Sequence, residues 1–312
     1  MSKIKLNSNN QYNLNVSFNR DELDFIKEWS EYTKENYIPR ISGIKRLIKR
    51  GYKIDLINKI INYQSKLELK KILIKYGVKV HELDTEDTNQ IFARDLGFVI
   101  DDNFIVSSII PDREKELNGL RSILSNIKNV IKLPKSAHIE GGDVVVTKDY
   151  VFIGYYDKID YKNQITARTN KKAIKIIKNL IKKKEVFPIE LIKSSIKPSK
   201  NALHLDCCFQ PVSRNKAVIC KEAFANKIEL NFLTSYFGEK NIFDVTLGEM
   251  SKLYCNFFSI NENTVITDKR FKRLIDWFNE IGLCVEILDF SEISKLGGLF
   301  RCCTLPLIRE NN

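Results

Sequence analysis

The sequence predicts an α/β fold, a five-bladed pseudo-symmetric propeller made from one repeated ββαβ unit. Three observations predict it. The same order of elements (apolar strand, tight polar turn, second apolar strand, amphipathic helix, short strand) recurs four times along the chain. In each copy the strands come first as a hairpin, which argues against a doubly wound sheet, where single strands alternate with helices. Both ends of the repeat region carry a partial unit, and joining the two would close a ring and protect the sheet edges that a linear array leaves open.

The first copy runs from Phe92 to Ile100, turns at Asp101-Asp102-Asn103, continues from Phe104 to Ser108, forms a helix over about Arg113 to Ile127 and closes with Val130 to Leu133. The second follows Gly141-Gly142 with Asp143 to Thr147, turns at Lys148-Asp149, and continues from Tyr150 to Gly154. It then has a helix over Asn170 to Lys183 and a strand over Val186 to Ile189. That helix places Ile174, Ile177 and Ile181 at three- and four-residue spacing, one apolar stripe. In the third copy Leu203 to Gln210 and Ala217 to Cys220 flank the turn at Ser213-Arg214-Asn215, before a less regular helix over Lys227 to Phe237. The fourth pairs Leu253 to Ile260 with Thr264 to Thr267 across Asn261-Glu262-Asn263, then takes a helix over Lys269 to Ile281 and the strand Val285 to Leu288. A helix over Leu67 to Tyr76, a strand over Val78 to Leu83 and a lone C-terminal strand over Phe300 to Ile308 supply the fifth unit. Helices over Arg20 to Glu35 and Ile41 to Ile61 fall outside the repeat. The expected organisation is therefore a helical extension, residues 1–60, packed on a single propeller domain, residues 61–312.

Composition narrows the class. With 43% hydrophobic and 29% charged residues in 312, the chain is globular rather than disordered. The first fifteen residues are polar, and no stretch approaches the roughly 18 apolar residues of a membrane span, so a soluble, cytoplasmic protein is expected. Seven cysteines is an odd number, and two adjacent pairs, Cys207-Cys208 and Cys302-Cys303, sit in apolar runs, which fits reduced thiols. No CxxC or HxxxH spacing marks a structural zinc site. The net charge of +12 is spread as lysines along helical faces without an aromatic-interleaved basic motif, so no nucleic-acid or membrane partner is expected.

The residues able to do chemistry do not scatter over the repeat. Asp95 lies on the first strand of the first copy, Glu140 and Asp143 where that strand begins in the second, His204 and Asp206 in the third, and Cys302 on the terminal strand after the turn at Gly297-Gly298. If the first strands converge on the axis, these side chains meet. Each also has a plainer reading: a strand cysteine is commonly packing, a single histidine commonly structural, and Glu140-Gly141-Gly142-Asp143 can be only a turn. The HxD spacing puts His204 and Asp206 on one face of a strand, and alternation sends Cys302 and Cys303 to opposite faces, so one of the two can serve a common site. Asp95 sits among Phe92, Ala93, Leu96 and Phe98, which suggests burial, and several buried carboxylates together demand a cationic group.

These residues resemble the guanidino-group-modifying enzymes, the pentein superfamily of arginine deiminases, amidinotransferases and dimethylarginine dimethylaminohydrolases. Over roughly Gln64 to Leu307, Phe92-Ala93-Arg94-Asp95 is similar to the F-x-R-D motif and Ile139 to Val144 contains the E-G-G-D motif. His204-Leu205-Asp206 is similar to H-x-D, and Gly297 to Leu307 to G-G…R-C-x-[ST]-x-P-L. The resemblance implies the five-bladed propeller and a set of roles: Cys302, directly after Arg301, as nucleophile, His204 as general acid/base, Glu140 as its partner and a guanidinium ligand, and Asp95 and Asp206 as further clamps. Arg113 and Arg168 resemble arginines that recognise a substrate carboxylate. Asp143, Gly141, Gly142, Gly297 and Gly298 would be structural. Attack on the guanidinium carbon would give a covalent thiouronium, resolved by water in a hydrolase or by an amine acceptor in an amidinotransferase, with no metal or organic cofactor. The partner implied is a small guanidino compound, and a homodimer is left open. The chain departs from the pattern at Lys295 and Leu296, where an arginine is common, and at Leu299, in place of a third glycine. An insertion, Tyr156 to Thr166, separates Arg168 from its strand. The expected activity is that of an arginine deiminase-like hydrolase of arginine or a close derivative, with a non-catalytic propeller as the bland reading.

Overall fold

The computed structural model describes residues 54–83, 91–158, 161, 166–194, 197 and 200–308. The expected helix Arg20 to Glu35 and most of Ile41 to Ile61 lie outside them. A helix, α1 (Ile54–Lys75), leads into the compact unit Leu69–Asn312. No helix among the described residues is long and apolar enough to cross a membrane.

Four three-stranded sheets follow in chain order, β1-β2-β3, β4-β5-β6, β7-β8-β9 and β10-β11-β12. In the first, β1 (Gly97–Ile100) pairs antiparallel with β2 (Asn103–Val106), which pairs parallel with β3 (Val130–Lys132). The second joins β4 (Val144–Val146), β5 (Tyr150–Tyr155) and β6 (Glu185–Glu190) in the same pattern. In the third, β7 (Phe209–Val212) and β8 (Lys216–Ile219) form the hairpin, and β9 (Ile242–Asp244) supplies a closing strand that the sequence reading lacked. The fourth joins β10 (Phe258–Asn261), β11 (Thr264–Asp268) and β12 (Cys284–Leu288). The tight turns have a local cause: Asp101, in a two-residue loop, and Ser213, in a three-residue loop, take the left-handed conformation, φ 51° and 55°, that short hairpin loops use.

The crossovers after the hairpins differ in quality. In the first module a 3₁₀ stretch, Pro111–Leu120, runs into one helical turn, α2 (Arg121–Leu124), instead of the expected helix to Ile127; Pro111, Asn118 and Gly119 are poor helix formers. The second has α3 (Lys171–Leu180), whose Asn170 side chain caps it by accepting from the Ala173 N–H. Its stripe of Ala173, Ile174 and Ile177 packs with Ile153 and Val186. The third has α4 (Lys227–Phe237), followed by a turn, α5 (Leu247–Met250). The fourth has α6 (Lys272–Glu280), and α7 (Ser291–Ser294) precedes the C-terminal glycines. Phe209, Leu233, Phe257, Phe278 and Phe300 belong to one core cluster across these last modules.

Two corrections matter for the site. The first strand of every module begins later than the sequence suggests, because the chain makes a tight turn before it. Ala93–Leu96, Gly141–Asp143 and Leu205–Cys207 are single 3₁₀ turns, and Leu253 takes φ 70° ahead of β10. The expected fifth-unit strands, Val78 to Leu83 and Phe300 to Ile308, are irregular; Phe300 to Cys303 is a turn, closed by the Cys303 N–H donating to the Leu299 carbonyl at 2.9 Å. The alternation argument for Cys302 over Cys303 therefore fails, and burial separates them instead: Cys302 is 6% exposed and Cys303 half-buried.

Candidate active site

The tight turns ahead of the strands are where the polar residues gather. Asp95, on the first turn, is 5% exposed, Glu140 and Asp206 are fully buried, and His204 is 2% exposed. His204 Nε2 lies 2.8 Å from Glu140 Oε2 and Nδ1 lies 3.7 Å from Asp95 Oδ1, so one imidazole bridges two carboxylates from two other modules. Gly142 makes this approach possible, since a Cβ there would lie 2.7 Å from the His204 ring. Gly141 has the same character against backbone: a Cβ would meet the Arg94 and Gly97 carbonyls at 2.2 and 2.3 Å.

Two clamps orient His204. The Lys193 ammonium donates to the carbonyls of Ala202 and Leu203, at 2.7 and 2.6 Å, immediately before it. Asp143 accepts from the Leu205 N–H at 2.9 Å, immediately after it, and from the Thr169 hydroxyl at 2.7 Å. Asp143 thus braces the turn.

Arg113 and Arg168 both reach the carboxylates. Arg113 donates to Asp95 Oδ2 at 2.7 Å and as a fork to Glu116 at 2.8 Å on each arm. Arg168 Nη1 lies 3.1 and 3.2 Å from the two Glu140 oxygens. Asp206 pairs with Arg301 Nε at 3.2 Å, and Arg301 also donates to the Val144 carbonyl. Asp95 Oδ1 is buried with no hydrogen-bond partner.

Cys302 is seated by neighbours from the first and fourth modules. Arg94, 1% exposed, donates its backbone N–H to the Cys302 carbonyl and its Nε to the Arg301 carbonyl, at 3.0 and 3.1 Å. Asn256, fully buried, accepts from the N–H groups of Leu299 and Cys302 and directs its amide nitrogen to the sulfur at 3.1 Å. Gly298 leaves no room for a side chain: a Cβ would stand 2.5 Å from Phe92 and 2.8 Å from Cys302 Cβ. Gly297 takes φ +98°, a conformation that favours glycine.

The electrostatics follow from burial and pairing. Burial works against a charged imidazole, but Asp95 and Glu140 outweigh it and push His204 up to about 9. Burial raises Glu140, and the hydrogen bond and charge of His204 with Arg168 and Arg113 overcome this, lowering it to about 2. Asp95 and Asp206 are raised by burial, against the pull of His204 and Arg301 respectively. Burial, then the charges of Asp206 and Asp95, push the Cys302 thiol well above its ordinary range. Burial and these neighbours thus favour the thiol of Cys302 over its thiolate. Ligand atoms of Asp95, Glu140 and His204 lie within 4.8 Å of one another, close enough to hold a metal ion. Both carboxylates also pair with guanidinium groups of the chain itself, Asp95 with Arg113 and Glu140 with Arg168.

The structure brings Asp95, Glu140, His204, Arg113 and Arg168 into one network, and the charges of Asp95 and Asp206 act on Cys302. Asn256 and Lys193 are the residues that sequence reasoning missed, and Arg94 entered it only as part of the F-x-R-D match, without a role. A signal for Asn256 exists: it stands two residues before β10, as Asp95 stands two residues before β1.

Comparison with known proteins agrees with this architecture. The family model for N,N dimethylarginine dimethylhydrolase, eukaryotic, matches residues 53–309. Uncharacterized protein YkgA of Bacillus subtilis (strain 168) is 30% identical over 244 residues, 77% of this chain and 78% of that protein. Uncharacterized protein ZK1307.1 of Caenorhabditis elegans is 25% identical over 262 residues, 81% of this chain and 86% of that protein. Among solved structures, the N-terminal domain of ArgZ, an arginine dihydrolase from the ornithine-ammonia cycle in cyanobacteria, superposes with a TM-score of 0.67 at 20% identity, covering 78% of this chain and 86% of that one. SxtG, an amidinotransferase from Microseira wollei, gives 0.65 at 18% identity, with 84% and 86% covered. The four repeated sheets and their polar turns are thus those of the pentein fold, and the chain belongs to the N,N dimethylarginine dimethylhydrolase family of the guanidino-group-modifying enzymes.

Proposed function

We propose that this chain is a hydrolase that acts on the guanidino carbon of arginine or a close N-substituted derivative through a covalent intermediate on Cys302. The observation that carries the reading is the convergence of buried carboxylates on one thiol, with Asp95 Oδ1 left without a hydrogen-bond partner. A buried acceptor of this kind is costly unless a donor arrives, and a guanidinium offers planar N–H pairs together with charge.

The mechanism follows from the same charges. A guanidinium lying on Asp95, Glu140 and Asp206 cancels the negative field that holds Cys302 as a thiol and favours the thiolate. The thiol proton is released to solvent as the substrate binds, because His204 already carries its own. Sulfur attacks the central carbon, a C–S bond forms, and the C–N bond to the departing amine breaks. His204, protonated up to about pH 9, gives the departing nitrogen its proton. Neutral His204 then takes a proton from water as it attacks the thiouronium, and C–S cleavage restores the sulfur. Arg113 and Arg168, drawn in among the carboxylates, are suited to meet the carboxylate at the far end of an amino-acid substrate.

The family description names dimethylarginine, and the fold neighbours include an arginine dihydrolase and an amidinotransferase, which supports guanidine chemistry without choosing among its outcomes. Mass spectrometry of mixtures containing arginine or N-methylated arginines, each with and without glycine, chooses. Citrulline with ammonia or an alkylamine is the expected product, and ornithine would mean a second hydrolysis. Transfer of the amidino group to glycine would move the chain to the amidinotransferases. No product from any of them, with no labelling of Cys302 by a haloacetamidine, would make it a non-catalytic binding protein.

A further inference from the structure

Asn256 contacts the reacting sulfur from a module to which the resemblance gives no role. Its carboxamide is engaged at both ends: Oδ1 accepts from the Leu299 N–H at 3.0 Å and the Cys302 N–H at 3.2 Å, and Nδ2 lies 3.1 Å from Cys302 Sγ. Two backbone N–H groups demand an acceptor, so the oxygen must face them and the amide cannot flip. The NH₂ group is therefore held facing the sulfur, where it can only donate. Backbone geometry enforces the same placement. Leu253 occupies the left-handed region at φ 70°, unfavourable for a branched side chain, and the Asn256 N–H closes the turn onto the Leu253 carbonyl at 2.9 Å. Cys255 and Phe257 on either side are fully buried, so the loop is locked by packing.

We infer that Asn256 is a catalytic residue, a hydrogen-bond donor that stabilises the Cys302 thiolate while its carbonyl fixes the nucleophile turn. The inference rests on the reading of Cys302 as the nucleophile. Asp206 and Asp95 disfavour the thiolate, and the Asn256 donor works against them. A donated hydrogen bond strengthens as the sulfur gains charge, so it favours the thiolate over the thiol. In a dry site it is stronger than in water.

The experiment measures the rate at which iodoacetamide alkylates Cys302 as a function of pH, read by peptide mass spectrometry in a Cys303→Ser background. Asn256→Leu, of nearly the same shape, removes the donor without adding charge; Asn256→Asp keeps an oxygen for the Leu299 and Cys302 N–H groups but replaces the donor with a carboxylate beside the sulfur. The expected result for Asn256→Leu is an inflection moved up by about one pH unit or more and alkylation about tenfold slower at pH 8, with a shift at least as large in Asn256→Asp. A wild-type inflection in folded Asn256→Leu, whether or not Asn256→Asp shifts, would overturn the inference and leave Asn256 as a loop anchor. Should the substitutions unfold the chain, the wild-type protein decides by NMR. The Asn256 side-chain amide protons are expected to shift with the same inflection as Cys302 alkylation, and protons that do not respond overturn the inference. Neither measurement needs a guanidino substrate, so failure of the proposed hydrolysis and failure of this inference are separate results.

Discussion

Around His204 the backbone is gripped by ionisable side chains, Lys193 on the Ala202 and Leu203 carbonyls and Asp143 on the Leu205 N–H. Around Cys302, a neutral amide holds the N–H groups of Leu299 and Cys302, and Arg94 holds the carbonyls of Arg301 and Cys302. The imidazole itself sits between two carboxylates, whereas the sulfur touches a carboxamide. The contrast teaches where pH acts. The Glu140–His204 pair is drawn apart, to about 2 and about 9, while the amide and the arginine that hold the backbone of the Cys302 turn keep their state throughout. Around Cys302 titration enters through Asp206, which burial raises and which pairs with Arg301, and not through the groups that bond the turn's backbone.

Cys302→Ala gives the largest effect that can break this comparison: loss of turnover by at least about 10³-fold, with Cys303→Ala within a few-fold of wild type. Loss only in Cys303→Ala would reverse the assignment. Next come the paired glycines, one under each half. Gly298→Ala drives a methyl group toward Phe92 and Cys302, and Gly142→Ala drives one into the His204 ring. Each is expected to lower kcat about 10²-fold, since displacement of a reacting group by about 1 Å costs that much. Iodoacetamide should report the difference, with Cys302 alkylation altered in Gly298→Ala and near normal in Gly142→Ala.

A smaller effect follows from Lys193→Met, which leaves two backbone carbonyls without their donor. A stability loss of roughly 2–4 kcal/mol is expected by denaturant unfolding, together with about tenfold lower kcat. Equal loss of stability without a change in kcat would mean that Lys193 supports the fold and not His204.

The subtlest effect is on pH and stability. Folding raises His204 from 6.5 to about 9, so its contribution is complete below pH 6.5 and is lost as pH climbs through about 9. Folding lowers Glu140 from 4.5 to about 2, so its contribution is present above pH 4.5 and is lost as pH falls through about 2. Relative to His204→Asn, the wild-type Tm should fall by a few degrees between pH 6.5 and 9. A constant difference would mean that His204 is neutral in the folded protein.

Much of this was written in the sequence because strands and hairpins obey short-range rules. Alternating apolar runs and turns such as Asp101-Asp102-Asn103 placed eleven of the twelve strands, though the first strands in each copy were drawn too long. Asp95, Glu140, His204 and Asp206 were legible as charge in apolar company, which is costly without a purpose. The 3₁₀ turns were not, because three or four residues leave no periodicity to detect. Asn256, between Cys255 and Phe257, read as strand interior, and only its tertiary partners reveal a polar group reaching a sulfur. Lys193 was hidden for a similar reason: a lysine among the chain's many looks like solvated surface until its ammonium is seen tucked under a backbone.

The raised Cys302 thiol has one more consequence. Peroxide and other oxidants react with thiolates far faster than with thiols. On the proposed mechanism, a sulfur that its neighbours hold toward the thiol until a cation binds would be shielded from oxidation between turnovers, so that scarcity of substrate would not leave it open to damage.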